Sequence, residues 1–373
     1  MSETIEIKLK QQTAKYRINV GGELKDTGDW TRAILGSGSK RIAIVSNRKI
    51  FGIYGESVTD SLKKKGFDPF VNLIGDGERF KSFSTLEKTL SVFSSAGLSR
   101  TDAVIALGGG VVGDLAGFAA SVYLRGVAFL QIPTTLLSMI DSSVGGKTAV
   151  NTSFGKNLIG TFYQPSGVLI DPTTLRTLPK REFTAGLCEA VKQGSIGGER
   201  LFDQTRRFLV SGRSESELAA LITAQIKFKA KIVAGDEHES AERTDAASRK
   251  ILNFGHTFAH ALEKATDYKY LKHGEAVGWG IIFAAELSKK LEFLPSDKVK
   301  LLKDVVHRAG KLPSINKIDP AVIFDRFRFD KKVVNNSLQW ILLEGIGKPV
   351  ITSDENIPRK VLKQTVDEII GMA

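Results

Sequence analysis

Short apolar runs rich in β-branched residues recur through the first half of the chain, each followed by a stretch of helical periodicity. RIAIVSN (Arg41 to Asn47) reads as a strand, with a helix expected through Gly55 to Lys65. FVNLIGDGE (Phe70 to Glu78) reads as a second strand ending in a Gly/Asp turn, after which Ser84 is placed to cap a helix running to about Ala96. AVIALGGG (Ala103 to Gly110), VAFLQIPTT (Val127 to Thr135) and GVLIDP (Gly167 to Pro172) are further strands. The first residues, MSETIEIKLKQQTAKYRINVGG, alternate like a strand and lack the apolar core of a signal peptide. Strands this apolar, separated by helices, predict a parallel sheet covered on both faces, an open Rossmann-like α/β domain over residues 1–178.

From Leu178 onward helical periodicity takes over. Helices are expected at Glu182 to Gly194, Leu201 to Phe208, Ser216 to Val233, Ile251 to Ala265, Glu275 to Leu291, Asp297 to Ala309 and Pro320 to Phe327. LPKREF, beginning at Leu178, is the expected junction to an all-helical domain over residues 179–373, with QWILLEGIGKPVI (Gln339 to Ile351) as one late hairpin or strand. No internal repeat or low-complexity segment is present.

At 373 residues, 42% hydrophobic and 25% charged, the composition is that of a globular protein, and no apolar run reaches the length of a membrane span. A single cysteine, Cys188, excludes an internal disulfide and fits a reducing cytoplasm. The net charge of +12 invites a nucleic-acid reading. However, the basic residues are spread along the chain among acidic ones, and Lys63, Lys64 and Lys65 suit a solvated helix end. No zinc-finger, homeodomain or RNP-type pattern occurs. A basic pocket for a phosphorylated or carboxylated metabolite explains the sign equally well.

Two segments carry candidate chemistry. LGGGVVGDLAGF opens directly after a strand and runs into a helical pattern, with Gly108, Gly110 and Gly113 in GxGxxG spacing. Such glycines let backbone N–H groups approach a pyrophosphate at a helix N-terminus. The acidic residue expected further on is missing, so the motif alone is weak. Asp114, Thr134 and Thr135 are its natural neighbours at the sheet's C-terminal edge.

The other segment, NFGHTFAHALE (Asn253 to Glu263), places two of the chain's five histidines, His256 and His260, at i and i+4. That spacing puts both imidazoles on one helix face. Two metal ligands, one ligand and one catalytic base, or two ordinary polar residues all fit it. His273 in LKHGEAV and Glu189 in AGLCEAVKQG are further candidate ligands. Thr257 stands where an HExxH motif has its glutamate, so a zincin site is excluded. His238 and His307 lie in charged surroundings and read as surface residues.

GGGVVGDLAGFAASVYLRG, IPTTLLSMIDSSVGGKTAVN, FGKNLIGTFYQP, LPKREFTAGLCEAVKQG, KAKIVAGDEHE, RKILNFGHTFAHALE, LKHGEAV and FDKK together resemble the 3-dehydroquinate synthase family of sugar-phosphate cyclases over nearly the full chain. The resemblance implies an N-terminal NAD-binding domain, a C-terminal helical domain and an active site between them. It implies a divalent metal, Zn2+ or Co2+, on Glu189, His256 and His273, which leaves His260 free. The implied substrate is 3-deoxy-D-arabino-heptulosonate 7-phosphate (DAHP). Positions matching substrate contacts are Asp141, Lys147, Lys156, Asn157, Lys192, Lys229, Arg249, Asn253 and, in the DKK segment, Asp330, Lys331 and Lys332. Arg125 would reach the substrate phosphate of a neighbouring subunit, implying a homodimer. Glu239 and His260 match acid/base positions, and Lys147 is grouped with them. Positions matching NAD contacts are Asn47, Lys49, Glu78, Lys81, Gly109, Gly110, Val111, Asp114, Thr134, Thr135, Lys156 and Thr177.

The implied chemistry is coherent. NAD+ takes hydride from C5, the resulting ketone acidifies the C6 proton for phosphate elimination, and NADH returns the hydride before ring opening and aldol closure. A metal polarises the C5 oxygen, and lysines with Arg249 line an anion site. The sequence departs from the family in the longer SAERTDAAS segment after Glu239 and in CEAVKQG. The nearest rivals are 2-epi-5-epi-valiolone and 2-deoxy-scyllo-inosose synthases, which tend to alter the DSSVGGKT loop or the asparagine at Asn253. A metal-dependent polyol dehydrogenase is a further rival, and a basic nucleic-acid binder is one of a different class.

Overall fold

The computed structural model describes residues 15–211, 214–327, 333–334 and 337–372. The elements run β1 (Arg17–Val20), α1 (Thr27–Leu35), β2 (Arg41–Asn47), α2 (Arg48–Lys64), β3 (Asp68–Ile74), α3 (Phe83–Ser95), β4 (Ala103–Gly108), α4 (Gly110–Val122) and β5 (Ala128–Pro133). A π-helical turn (Ser138–Ser142) precedes β6 (Lys147–Thr152), β7 (Gly155–Phe162) and β8 (Gly167–Ile170). Helices then dominate: α5 (Lys180–Ile196), α6 (Glu199–Val210), α7 (Glu215–Gly235), a 3-10 turn (Arg249–Asn253), α8 (His256–Ala265), α9 (His273–Lys290), α10 (Ser296–Ala309) and α11 (Pro320–Arg326). The short strands β9 (Val333–Val334), β10 (Ser337–Gly345) and β11 (Lys348–Ser353) and the helix α12 (Arg359–Met372) close the chain.

The principal sheet is wholly parallel in the order β1-β8-β5-β4-β2-β3. Alternation along its strands divides the core. Ile42, Ile44, Ile105 and Leu107 face one side with Leu130 and Ile132, while Ala43, Val45, Val104 and Ala106 face the other with Phe129. Each such fully buried aliphatic side chain is worth about 2 kcal/mol of transfer free energy. From β2 the chain goes outward to β3, then returns across β2 to β4 on its other flank. The order reverses there, so a crevice opens beyond the C-terminal ends of β2 and β4, where open α/β sheets take their ligands.

The helical half packs around α9, which is buried from Gly274 to Ser288. Its two buried carboxylates are neutralised: Glu275 takes two bonds from Arg181, at 2.7 and 2.5 Å, and Glu286 pairs with Lys303 and Lys289, each at 2.5 Å. The same apolar cluster includes Val168 and Ile170 of β8, so sheet and helices share one core.

Several details differ from the sequence reading. Helix α2 begins at Arg48 rather than near Gly55, because the Asn47 side chain caps it by accepting from Ile50 N at 2.9 Å. Ser82, not Ser84, caps α3 by accepting from Thr85 N. The helix expected from Ile251 starts at His256, since residues Arg249–Asn253 form a 3-10 turn and Gly255 breaks the path with φ +77°. Lys147 opens β6 and Lys156 is the second residue of β7, in an antiparallel hairpin where Lys147 stands opposite Phe162. The late hairpin is β10–β11 within a small three-stranded sheet, and α1 and α12 were not expected.

Candidate functional site

Three helices bring one candidate ligand each to a common point. Glu189 projects from α5, His256 opens α8 and His273 opens α9. The convergence depends on glycine. A Cβ on Gly280 would lie 2.0 Å from the Gly255 carbonyl oxygen, and one on Gly274 would lie 2.0 Å from the Ala185 carbonyl oxygen. Only hydrogen at these positions lets α8 and α5 close on α9.

The ligand atoms of Glu189, His256 and His273 all lie within 4.8 Å of one another. Glu189 Oε1 is 3.7 Å from His256 Nε2 and 3.5 Å from His273 Nε2. It is buried and has no hydrogen-bond partner among the described residues. An orphaned carboxylate oxygen between two imidazole nitrogens is costly unless a cation completes it, so the donor set fits a divalent metal. Glu189 Oε2 lies 2.7 Å from Lys192 Nζ, an ion pair without hydrogen-bond alignment. The Nδ1 atoms face backward, His256 Nδ1 to Phe254 O at 3.2 Å and His273 Nδ1 to Glu263 Oε2 at 3.2 Å. His260, on the same face of α8, stays outside the triad with its ring centroid 5.5 Å from that of His256, and it lines the cleft.

That cleft, about 1930 Å³, joins His273 and His260 of the helical half to the sheet's switch point, while Glu189, His256, Lys192, Glu239 and Asn253 do not line it. It exceeds the few hundred to about 1,000 Å³ of an ordinary small-ligand site, leaving room for two ligands. Asn47, Lys49, Glu78, Lys81, Gly109, Gly110, Val111, Asp114, Thr134, Thr135, Lys156 and Thr177 all line it, as do Asp141, Lys147, Asn157, Lys229 and Arg249. At the switch point, among the described residues, no side chain caps the first N–H groups of α4 at Gly110, and the buried Thr134 hydroxyl has no partner. A Cβ on Gly109 or Gly110 would press on Thr135 or Ser142 at 3.1 Å. An open helix N-terminus beside bare backbone and an unsatisfied hydroxyl fits a pyrophosphate-bearing nucleotide. Lys81, buried, pairs with Asp114 at 2.9 Å and Glu78 at 3.3 Å. Burial works to lower its pKa, but these two carboxylates outweigh that and hold it raised.

Between the nucleotide crevice and the triad, cations crowd a single carboxylate. Lys229 Nζ donates to Asp141 Oδ1 at 2.8 Å and to its carbonyl at 2.6 Å, while Lys192 lies 4.0 Å away. Burial would raise the Asp141 carboxyl, yet Lys229 and Lys192 hold it well below the usual range. Lys229 is depressed, chiefly by burial, with Lys192 and Arg249 adding to the effect. Arg249 is buried, with its guanidinium donating to Glu237 O and Gly145 O. Lys147 pairs with Glu239, whose other oxygen accepts from Asn253 Nδ2 at 3.0 Å. The surplus of positive charge in a partly dry site suits an anionic small molecule.

Not every expected residue is placed in the cleft. Arg125 is exposed beyond the end of α4 and outside this chain's cleft, while Lys331 and Lys332, with Asp330, fall outside the described residues. The sequence reading overlooked Glu263, which binds both His273 and Lys156, and Gln193, which donates to Asp141 Oδ1 at 3.3 Å. Glu263 was findable: it stands seven residues after His256, on the face that carries His260.

The pairing of a parallel nucleotide-type sheet with a helical half defines a fold class that solved structures share. One is 2-deoxy-scyllo-inosose synthase with carbaglucose-6-phosphate, NAD+ and Co2+, 26% identical, TM-score 0.82, covering 94% of this chain and 96% of that one. Another is the 2-epi-5-epi-valiolone synthase ValA from Streptomyces hygroscopicus subsp. jinggangensis 5008 with NAD+ and Zn2+, 24% identical, TM-score 0.87, covering 98% and 100%. Family models for the 3-dehydroquinate synthase N-terminal and C-terminal regions match residues 71–185 and 186–333. Curated 3-dehydroquinate synthases are similar over almost the whole length: that of Thermodesulfovibrio yellowstonii is 40% identical over 98% of this chain and 100% of its own, and that of Rippkaea orientalis 39% over 98% of each. The chain belongs to the 3-dehydroquinate synthase family.

Proposed function

We propose that the protein is a 3-dehydroquinate synthase that converts DAHP to 3-dehydroquinate and phosphate, a redox-neutral carbon–oxygen lyase of the cytoplasm. The observation that carries this is the single cleft lined by the glycine-lined helix N-terminus, by Lys229 and Arg249, and by His273 of the Glu189/His256/His273 triad. Identity of 38–40% to 3-dehydroquinate synthases, against 24–26% to the two sugar cyclases above, favours this substrate over theirs.

In this reading Asn47, Lys49, Glu78, Lys81, Gly109, Gly110, Val111, Asp114, Thr134, Thr135, Lys156 and Thr177 hold the nucleotide, which supplies reversible hydride transfer when bound. Glu189, His256 and His273 hold a divalent ion, which supplies Lewis-acid polarisation of a substrate oxygen when bound. Lys147, Lys192, Lys229, Arg249, Asn157 and Asn253 orient the substrate's carboxylate, phosphate and hydroxyls, while Asp141 keeps the lysines spaced. The charge of Lys192, Lys229 and Arg249, all buried, stabilises phosphate as it departs, because donors fixed by their surroundings need little reorganisation. His260 exchanges a proton at its imidazole with a substrate hydroxyl. The Glu239 carboxylate, held by Lys147 and Asn253, does the same on the other side. Arg125 completes the site of a neighbouring subunit in a homodimer.

Competing substrates test the assignment. Supplied with catalytic NAD+ and Zn2+ or Co2+, the enzyme should release phosphate from DAHP. Turnover of sedoheptulose 7-phosphate instead, with DAHP untouched, would move it to the valiolone-type cyclases.

A further inference from the structure

Glu263 is buried, with its side chain only 5% exposed, and both of its oxygens are committed. Oε2 faces His273 Nδ1 at 3.2 Å, and Oε1 faces the Lys156 ammonium, reaching over from β7, at 3.3 Å. Lys156 also lies 3.8 Å above the Tyr268 ring, so the lysine is clasped between Glu263 and the end of α8. His273 is the first residue of α9 and has no preceding turn of helix to fix its ring. A carboxylate on Nδ1 selects the tautomer with its proton there and leaves Nε2 free toward Glu189.

We propose that Glu263 is a positioning residue for the Glu189/His256/His273 centre: it locks His273 with Nε2 turned toward Glu189, and through Lys156 it ties that centre to the β6–β7 hairpin. The inference rests on the triad being a metal site, and it assigns a role to a residue outside the triad. It follows that the centre's affinity for a divalent ion depends on a side chain that never touches the ion. Through one ion pair and one hydrogen bond, Glu263 thus bridges Lys156 on the nucleotide side and His273 on the metal side.

Zn2+ affinity measured by competition with a chromophoric chelator tests this on full-length protein. Glu263→Gln, which keeps shape but loses charge, and Glu263→Ala should each bind Zn2+ on the order of 10- to 100-fold more weakly. The melting temperature of metal-free Glu263→Gln should stay near that of the wild type, and its NAD+ affinity should fall by less. Equal Zn2+ affinity in wild type and both variants overturns the proposal. If the wild type itself does not bind Zn2+, the metal reading fails instead, which is a separate outcome. Should Glu263→Ala not fold, side-chain nitrogen NMR of the metal-free wild type still decides. The five histidines are few enough to assign by a His273→Asn control. A proton on His273 Nδ1 supports the lock, and a neutral ring protonated only on Nε2 refutes it.

Discussion

His256 and His260 share one helix face, and their spacing could not say which of them belongs to a metal. The structure separates them by what comes from outside the helix: Glu189 and His273 close on His256, while the His260 ring stands off at the cleft wall. Distances between three helices are a tertiary property, so the triad was legible only through the family resemblance. Glu263 shares that helix face too, but only its burial between His273 and Lys156 marks it off from a solvated glutamate near a helix end. Substitution should separate the histidines again. His256→Ala is expected to lose both bound metal and turnover. His260→Ala should retain metal, measured by atomic absorption, yet lose about 10²- to 10⁴-fold in kcat. An equal loss of metal in both would show that the two rings act as one clamp.

Secondary structure was legible wherever burial is one-sided or complete. Strand β4 is apolar and buried throughout, β2 carries the buried apolar run Ile42–Val45, and α9 reads as a buried helix. The β6–β7 hairpin was not, because Leu158 and Phe162 of β7 point outward, 45% and 40% exposed, and lysine and asparagine occupy its start. Helix α12 could have been found, since Leu362, Val366, Ile369 and Ile370 carry helical spacing. The long segment after Glu239 is pinned at its neck by Asp236, which accepts from Ser240 N and Arg249 N at 2.8 Å each. Asp236→Ala should therefore cost about 2 kcal/mol in denaturant unfolding. Burial raises the Asp236 carboxyl, but its hydrogen bonds outweigh this and leave it lowered. A depressed carboxyl stabilises the fold above its unfolded value and loses that contribution as pH falls through the folded one. The gap between Asp236→Ala and wild type should accordingly be full at neutral pH and shrink in acid. At the α8–α9 crossing, Gly280→Ala would drive a methyl into the Gly255 carbonyl. About 3 kcal/mol of destabilisation is expected, with weakened metal binding because His256 shifts away.

At the scale of the whole molecule, one core joins sheet and helices, and the active cleft lies where the two meet. Among the described residues no helix is long and apolar enough to cross a membrane. The buried cations that line the cleft, Lys81, Lys229 and Arg249, fit an anionic small molecule better than they fit nucleic acid. Arg125 is exposed and outside its own chain's cleft, which suits a role in a partner's site. If so, mixing inactive Arg125→Ala with inactive His260→Ala under subunit exchange should restore part of the activity, because one site per hybrid dimer is complete. No recovery would confine Arg125 to its own subunit or to no catalytic role. The central claim is that oxidation is transient and phosphate leaves. It is tested most directly by giving the enzyme excess DAHP with a small amount of NAD+ and following phosphate and NADH absorbance together. The account predicts many phosphates released per NAD+ with no accumulation of NADH. Accumulation of NADH in step with substrate consumed, without phosphate release, would contradict it and make the protein a dehydrogenase.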